Sequence, residues 1–180
     1  RPSLSALKRL ASEKVQIFIT YPNNDLGGRD IVKQITKLAK KRLDNIDVYQ
    51  SLGRYQYHGF LALSGDPSVQ IACVGNSSSG IKETPIFGCP TVNIGTRQKG
   101  RLRGTNVIDA GYDEECIYQA VNRCFYDVSH RNECFKTDNP YYLGNAGEAM
   151  AKVLATVRLD QKLIQKLMTI RGEAMNGWFR

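Results

Sequence analysis

No apolar run in the 180-residue sequence approaches the ~18–20 residues that cross a bilayer; the longest apolar stretches, Val15–Tyr21 and Val69–Val74, have strand length. The opening Arg1-Pro2-Ser3-Leu4-Ser5 has no apolar core, so no secretory signal is expected. Cysteine is scarce and unpaired in pattern. The five cysteines (Cys73, Cys89, Cys116, Cys124, Cys134) are odd in number and form no C-x-x-C, which argues against a disulfide framework or zinc site and for reduced thiols in a cytoplasmic setting. Histidine occurs only at His58 and His130, without Cys or Asp at ligand spacing, so no metal is expected and each reads as structural or exposed. Neither G-x-G-x-x-G nor G-x-x-x-x-G-K-[ST] occurs, no Ser-His-Asp set or paired catalytic carboxylate stands out, and no internal repeat or low-complexity tract is found. The chain carries binding chemistry and little catalytic chemistry.

What is present is an ordinary globular composition, 42% hydrophobic and 23% charged, with a formal charge of +8. Two segments hold much of the basic excess. In Lys33–Arg42 the charges alternate with Ile31, Val32, Ile35, Leu38 and Ala39 at helical spacing, as on a solvated helix face. In Arg97–Arg103 the charges Arg97, Lys99, Arg101 and Arg103 sit among glycines without an apolar period, which calls for an anionic partner. The overall charge raises nucleic acid as a partner. Interleaved aromatics on a sheet and a groove-reading motif are both lacking, so that reading ranks low.

Strand and helix patterns alternate along the chain. Strands are expected at Val15–Tyr21, Ile46–Leu52, Val69–Val74, Thr91–Ile94 and Asn106–Ala110; helices at Ser3–Lys14, Arg29–Leu43, Asp113–Tyr126, Ala146–Val157 and Leu159–Ile170. A short helical stretch is also expected through Phe87, and one or two turns within Tyr55–Leu63. This order specifies an α/β domain with a Rossmann-like parallel sheet and flanking helices. The boundaries are drawn at 1–157 for that domain and 158–180 for a C-terminal helix and tail, with the sole Trp178 in an end that is either loosely ordered or a docking segment.

Three strand-to-helix loops carry candidate ligands. Gly75-Asn76-Ser77-Ser78-Ser79-Gly80-Ile81-Lys82-Glu83 offers small hydroxyl residues and free amides at a helix start, suited to phosphate, while Glu83 is placed to accept from ribose hydroxyls. Simple helix capping by the serines fits the spacing equally well. Gly95-Thr96-Arg97-Gln98-Lys99-Gly100-Arg101 follows the next strand, so parallel strands put it on the same sheet edge, with Arg97 as the candidate phosphate contact; the other reading is a surface loop of solvated charges. Tyr21-Pro22-Asn23-Asn24-Asp25-Leu26-Gly27-Gly28 is the third; Asn23 there is either a base or sugar contact or, more simply, an Asx turn.

Together these words, with Ser51-Leu52-Gly53-Arg54, Pro90-Thr91-Val92-Asn93-Ile94 and Gly144-Asn145-Ala146 in order, resemble the hydrolysing branch of the UDP-N-acetylglucosamine 2-epimerase family. The likeness runs from about Leu4 to Leu154. It implies a two-domain GT-B-like fold of which this chain is the C-terminal half. It also implies elimination of UDP from UDP-N-acetylglucosamine followed by hydration to N-acetylmannosamine, in amino-sugar metabolism and without a cofactor. The resemblance assigns Ser77 and Ser78 to phosphate, Glu83 to ribose, Arg97 to support of the nucleotide site and Asn23 to a weaker contact. The family's catalytic groups belong to an N-terminal domain with no counterpart here, and its C-terminal half opens with a strand preceding the helix at Ser3–Lys14. A chain inactive alone, dependent on a missing domain and lacking its central strand, is the expectation. Homo-oligomer formation is expected as well. The alternatives are a non-catalytic UDP-binding module and a GT-B-type glycosyltransferase fragment.

Overall fold

The structure is a computed structural model that describes residues 2–23, 27–142, 144–164, 174–175 and 178–179. It divides into two compact units, Arg1–Tyr142 and Leu143–Arg180. The first alternates helix and strand: α1 (Pro2–Ser12), β1 (Ile17–Thr20), α2 (Gly28–Ala39), β2 (Ile46–Tyr49), α3 (Gly53–Ala62), β3 (Cys73–Gly75), α4 (Ser79–Lys82), β4 (Thr91–Ile94), β5 (Val107–Ala110), α5 (Glu114–Tyr126) and α6 (Val128–Phe135). Short 3-10 turns at Leu63–Gly65 and Thr84–Phe87 extend α3 and α4. The second unit contains α7 (Ala146–Thr156), α8 (Gln161–Ile164) and the two-residue antiparallel pair β6 (Ala174–Met175) and β7 (Trp178–Phe179). The expected helix Leu159–Ile170 is described only as far as α8. Most of the 171–180 tail, and the side chain of Trp178, lie outside the described residues.

All pairings in the first unit are parallel, as the alternation requires, but the sheet comes in two pieces, β1–β2 and β3–β4–β5. Ile17 donates its amide to the Asn45 carbonyl (2.9 Å) and Tyr21 to that of Tyr49 (3.2 Å). A parallel strand bonds one neighbour through alternate residues, so the backbone groups of Phe18 and Thr20 face away from β2. Cys73 likewise donates to Pro90 O (2.9 Å), turning the backbone of Val74 away from β4. In a doubly wound order those two edges flank the first strand. This is the α/β half-fold expected from the sequence; among the described residues no strand pairs with either edge.

Both pieces nonetheless share one core. Ala6, Leu10 and Ala11 of α1 join Ile17 and Ile19 of β1, Val92 of β4 and Ile117, Val121 and Cys124 of α5 in a single buried cluster. Arg9 extends the α1–α5 contact to the surface, with its guanidinium 3.5 Å from the Tyr118 ring centre and 2.6 Å from Glu115. On α2, Ile35 and Leu38 are buried, whereas Lys33, Lys37, Lys40, Lys41 and Arg42 are exposed; the first basic segment is a solvated helix face and its end.

Two local expectations shift. The strand expected at Val69–Val74 begins only at Cys73, opposite Thr91 where its partner β4 begins after Pro90, which has no amide to give a ladder; upstream, Arg131 takes the carbonyls of Pro67 (3.3 Å) and Val69 (3.0 Å). The helix α6 was not anticipated from periodicity. Asp127 makes it, accepting from the His130 amide (3.0 Å) as N-cap immediately after α5 ends.

Candidate functional site

Because β3, β4 and β5 are parallel, their carboxyl ends open on one edge, and the loops that follow them meet there. After β3 come Asn76, Ser77 and Ser78, then one helical turn, α4, whose buried Gly80 and Ile81 seat it on the sheet. A Cβ on Gly80 would stand 3.2 Å from the Thr91 methyl, so a larger residue here would make the turn or Thr91 give by a few tenths of an ångström. With four residues α4 has little macrodipole, and the charge preference read from the sequence falls instead on amides, hydroxyls and the basic loop. The serines cap one another: Ser77 Oγ accepts from the Ser79 amide (3.3 Å) and hydroxyl (3.0 Å). Ser77 is exposed, and Ser78 half-buried without a side-chain cap bond to the helix.

The basic loop after β4 closes on the same place. Arg97 Nη1 donates to Asn76 O (3.0 Å), and the buried Gln98 donates its Nε2 to the same carbonyl (2.7 Å). Two donors on one carbonyl of the serine loop fix the two loops relative to each other. Gly95 starts the turn at φ +74°, with the Tyr112 ring packed where a Cβ would stand, 2.3 Å away. Tyr112 Oη accepts from the Thr96 amide (3.1 Å) and lies 3.2 Å from its hydroxyl; these bonds lower the pKa of the phenol. The loop after β5 thus buttresses the basic loop.

One charge of the basic run is committed inside the loop. Arg103 pairs with Asp109, which also accepts from Asn93 Nδ2 (2.7 Å), and donates Nη2 to Gln98 O (3.0 Å). It is a structural brace inside the loop. Lys99 and Arg101 are exposed. Beneath the serine loop, a shallow recess is lined by Cys73, Val74, Gly75, Ser77, Thr91 and Asn93, among other residues. Asn93 is buried, and its Oδ1 accepts from no other group among the described residues.

Glu83 closes α4, its amide bonded to Ser79 O (2.9 Å). Its Oε2 lies 2.8 Å from Nε2 of His58 on α3, both side chains being partly shielded. Tyr57, the preceding residue, reaches Ser79 Oγ (3.2 Å) and Cys73 Sγ (3.8 Å), and burial raises its pKa strongly. These α3 contacts were invisible in the sequence, where His58 had no neighbour of interest. The other histidine, His130, is buried 3.6 Å from Cys134 Sγ, and desolvation lowers its pKa. Arg97 is brought to the loop of Ser77 and Ser78 through Asn76, whereas Glu83 sits one helical turn on, at the end of α4 against α3. Asn23 is exposed beyond β1, on the other sheet piece, where Gly28 packs against its carbonyl. No group of three or more metal-ligating residues occurs among the described residues, nor any helix long and apolar enough to span a membrane.

Parallel strands flanked by helices, with the loops after β3 and β4 meeting on one carboxyl edge, define a Rossmann-like α/β half-fold. Residues 2–155 match the model of the UDP-N-acetylglucosamine 2-epimerase family, and the chain belongs to that family. It is 34% identical over 116 residues to the UDP-N-acetylglucosamine 2-epimerase of Neisseria meningitidis, a match covering 64% of this chain and 28% of that protein. It is 36% identical over 105 residues to the GDP/UDP-N,N'-diacetylbacillosamine 2-epimerase (hydrolyzing) of Campylobacter jejuni, covering 58% of this chain and 26% of that one. With the UDP-N,N'-diacetylbacillosamine 2-epimerase (hydrolyzing) of Legionella pneumophila it shares 29% over 164 residues, 90% of this chain and 40% of the relative. The chain thus spans well under half the length of these relatives.

Proposed function

We propose that this chain is the UDP-holding half of a hydrolysing UDP-N-acetylglucosamine 2-epimerase, residues 1–157 forming the nucleotide domain. The reaction is conversion of UDP-N-acetylglucosamine to N-acetylmannosamine and UDP. The observation that carries it is the junction at Asn76, where Arg97 and the serine loop are tied at one carbonyl on the sheet's carboxyl edge. A pyrophosphate lying over that junction meets the Ser77 and Ser78 hydroxyls, loop amides and the Arg97 guanidinium; charge-assisted bonds of this kind are the strong ones. Glu83, about one helical turn beyond the serines, accepts from the ribose. Asn23 contributes a weaker contact from the β1 loop. The family membership and the names of the relatives support the substrate class.

Of the groups here with acid–base capacity, Glu83 is engaged in this reading by the ribose and His58 by Glu83, which leaves neither for proton transfer at a sugar carbon. Catalysis therefore needs a preceding domain facing this edge, and the chain alone binds UDP without turnover, in the cytoplasm and as part of a homo-oligomer. Calorimetric titration of the chain with UDP, beside Ser78→Ala and Arg97→Ala, tests the reading. Saturable binding, weakened roughly tenfold or more in each variant, is expected from the loss of a bond to a charged group. A folded chain that ignores UDP refutes a competent site.

A further inference from the structure

Tyr57 and His58 stand side by side on α3, and both reach across to the serine-loop unit. Tyr57 bonds Ser79 at its start, and His58 bonds Glu83 at its end, with Nε2 2.8 Å from Oε2. The imidazole is held in place by rings on two sides, Phe87 at 5.3 Å and Tyr57 at 5.9 Å between centres. The side chains of His58 and Glu83 are 30% and 39% exposed, so the contact is partly sheltered while the carboxylate still meets solvent. A free glutamate rotates about three bonds and loses that freedom on binding. Here one lone pair of Oε2 is already committed to His58, which fixes the plane of the carboxylate and leaves Oε1 and the remaining Oε2 direction to accept.

Resting on the reading that Glu83 meets the ribose, we propose that His58 is a positioning residue of the nucleotide site: it locks the Glu83 carboxylate in the orientation that accepts from neighbouring ribose hydroxyls. The ligand class so selected is a nucleoside diphosphate carrying an intact vicinal diol. Preorganisation of this kind raises affinity by removing an ordering cost, and it acts only through hydroxyls that the carboxylate touches. The imidazole itself makes no contact with the ligand.

The test is a titration of the chain and of His58→Ala, His58→Gln and Glu83→Ala with UDP and with 2'-deoxy-UDP, each protein first shown to unfold cooperatively in urea. The unaltered chain binds UDP more tightly than the deoxy ligand, and Glu83→Ala erases that preference. His58→Ala weakens UDP binding by roughly three- to tenfold, in keeping with one immobilised side chain, and affects the deoxy ligand markedly less. His58→Gln, whose amide can donate from a position close to Nε2, restores the preference. A general disturbance of the fold lowers both affinities together and is not rescued by glutamine; that pattern overturns the role of His58. A preference erased by Glu83→Ala but untouched by His58→Ala overturns it too. Equal affinity of the unaltered chain for both ligands refutes the ribose reading of Glu83 itself, and this inference falls with it.

Discussion

Replacing Gly95 with alanine isolates the geometry that shapes the basic loop. At φ +74° a non-glycine residue costs about 1–2 kcal/mol. The new Cβ would also stand 2.3–2.5 Å from three atoms of Tyr112, so the ring must swing away. Tyr112 is exposed, and the swing leaves no cavity; its cost is the loss of the bonds to Thr96, about 0.5–1 kcal/mol in a solvated setting. The two parts sum to about 1.5–3 kcal/mol of destabilisation, read as a lower urea midpoint with unchanged slope. In a Tyr112→Ala background the clash and the bonds are already gone, so Gly95→Ala should cost only its backbone share, about 1–2 kcal/mol. Gly95→Ala within about 0.5 kcal/mol of the parent would refute the reasoning, since surface changes without a mechanism fall in that range. An undiminished cost in the Tyr112→Ala background would refute the part assigned to the ring.

Two further outcomes follow from local structure. Asp113 caps α5 by accepting from the amides of Glu115 (2.9 Å) and Cys116 (3.2 Å), so Asp113→Ala should lower stability by about 1 kcal/mol in the same urea assay. Among the thiols, Cys116 is exposed while Cys89, Cys124 and Cys134 are buried, and burial pushes Cys124 up to about 12 and Cys134 to about 11. Iodoacetamide at pH 8 should therefore modify Cys116 well before those three, as peptide mass spectrometry would show. Folding prefers the neutral thiol, so this stabilisation is intact below the ordinary value of 9.0 and fades as pH rises from there through about 12. A folded stability that rises over that alkaline window would contradict it.

How much of this was legible in the sequence depended on whether the signal was local. Thr91–Ile94 was read to the residue, because a β-branched run between proline and glycine has one good conformation. The helix expected over Asp113–Tyr126 and the amphipathic stripe of α2 are likewise written within a few turns of chain. The loops carrying Ser77, Ser78, Glu83 and Arg97 were found from glycine, serine and charge, and their shared edge followed from parallel strands alone. Tertiary structure decided what each side chain is committed to. Arg103, indistinguishable from Arg97 in the basic run, is tied to Asp109 and to the carbonyl of Gln98. Arg131 holds the carbonyl of Val69, 62 residues away. His58 met Glu83 across 25 residues of sequence. Such pairings come from loop closure and packing between distant elements, for which local periodicity carries no record. Local patterning carried most of the order of elements and the kind of ligand chemistry on offer; folding alone assigned each charge its partners, because hydrogen bonds are made in three dimensions.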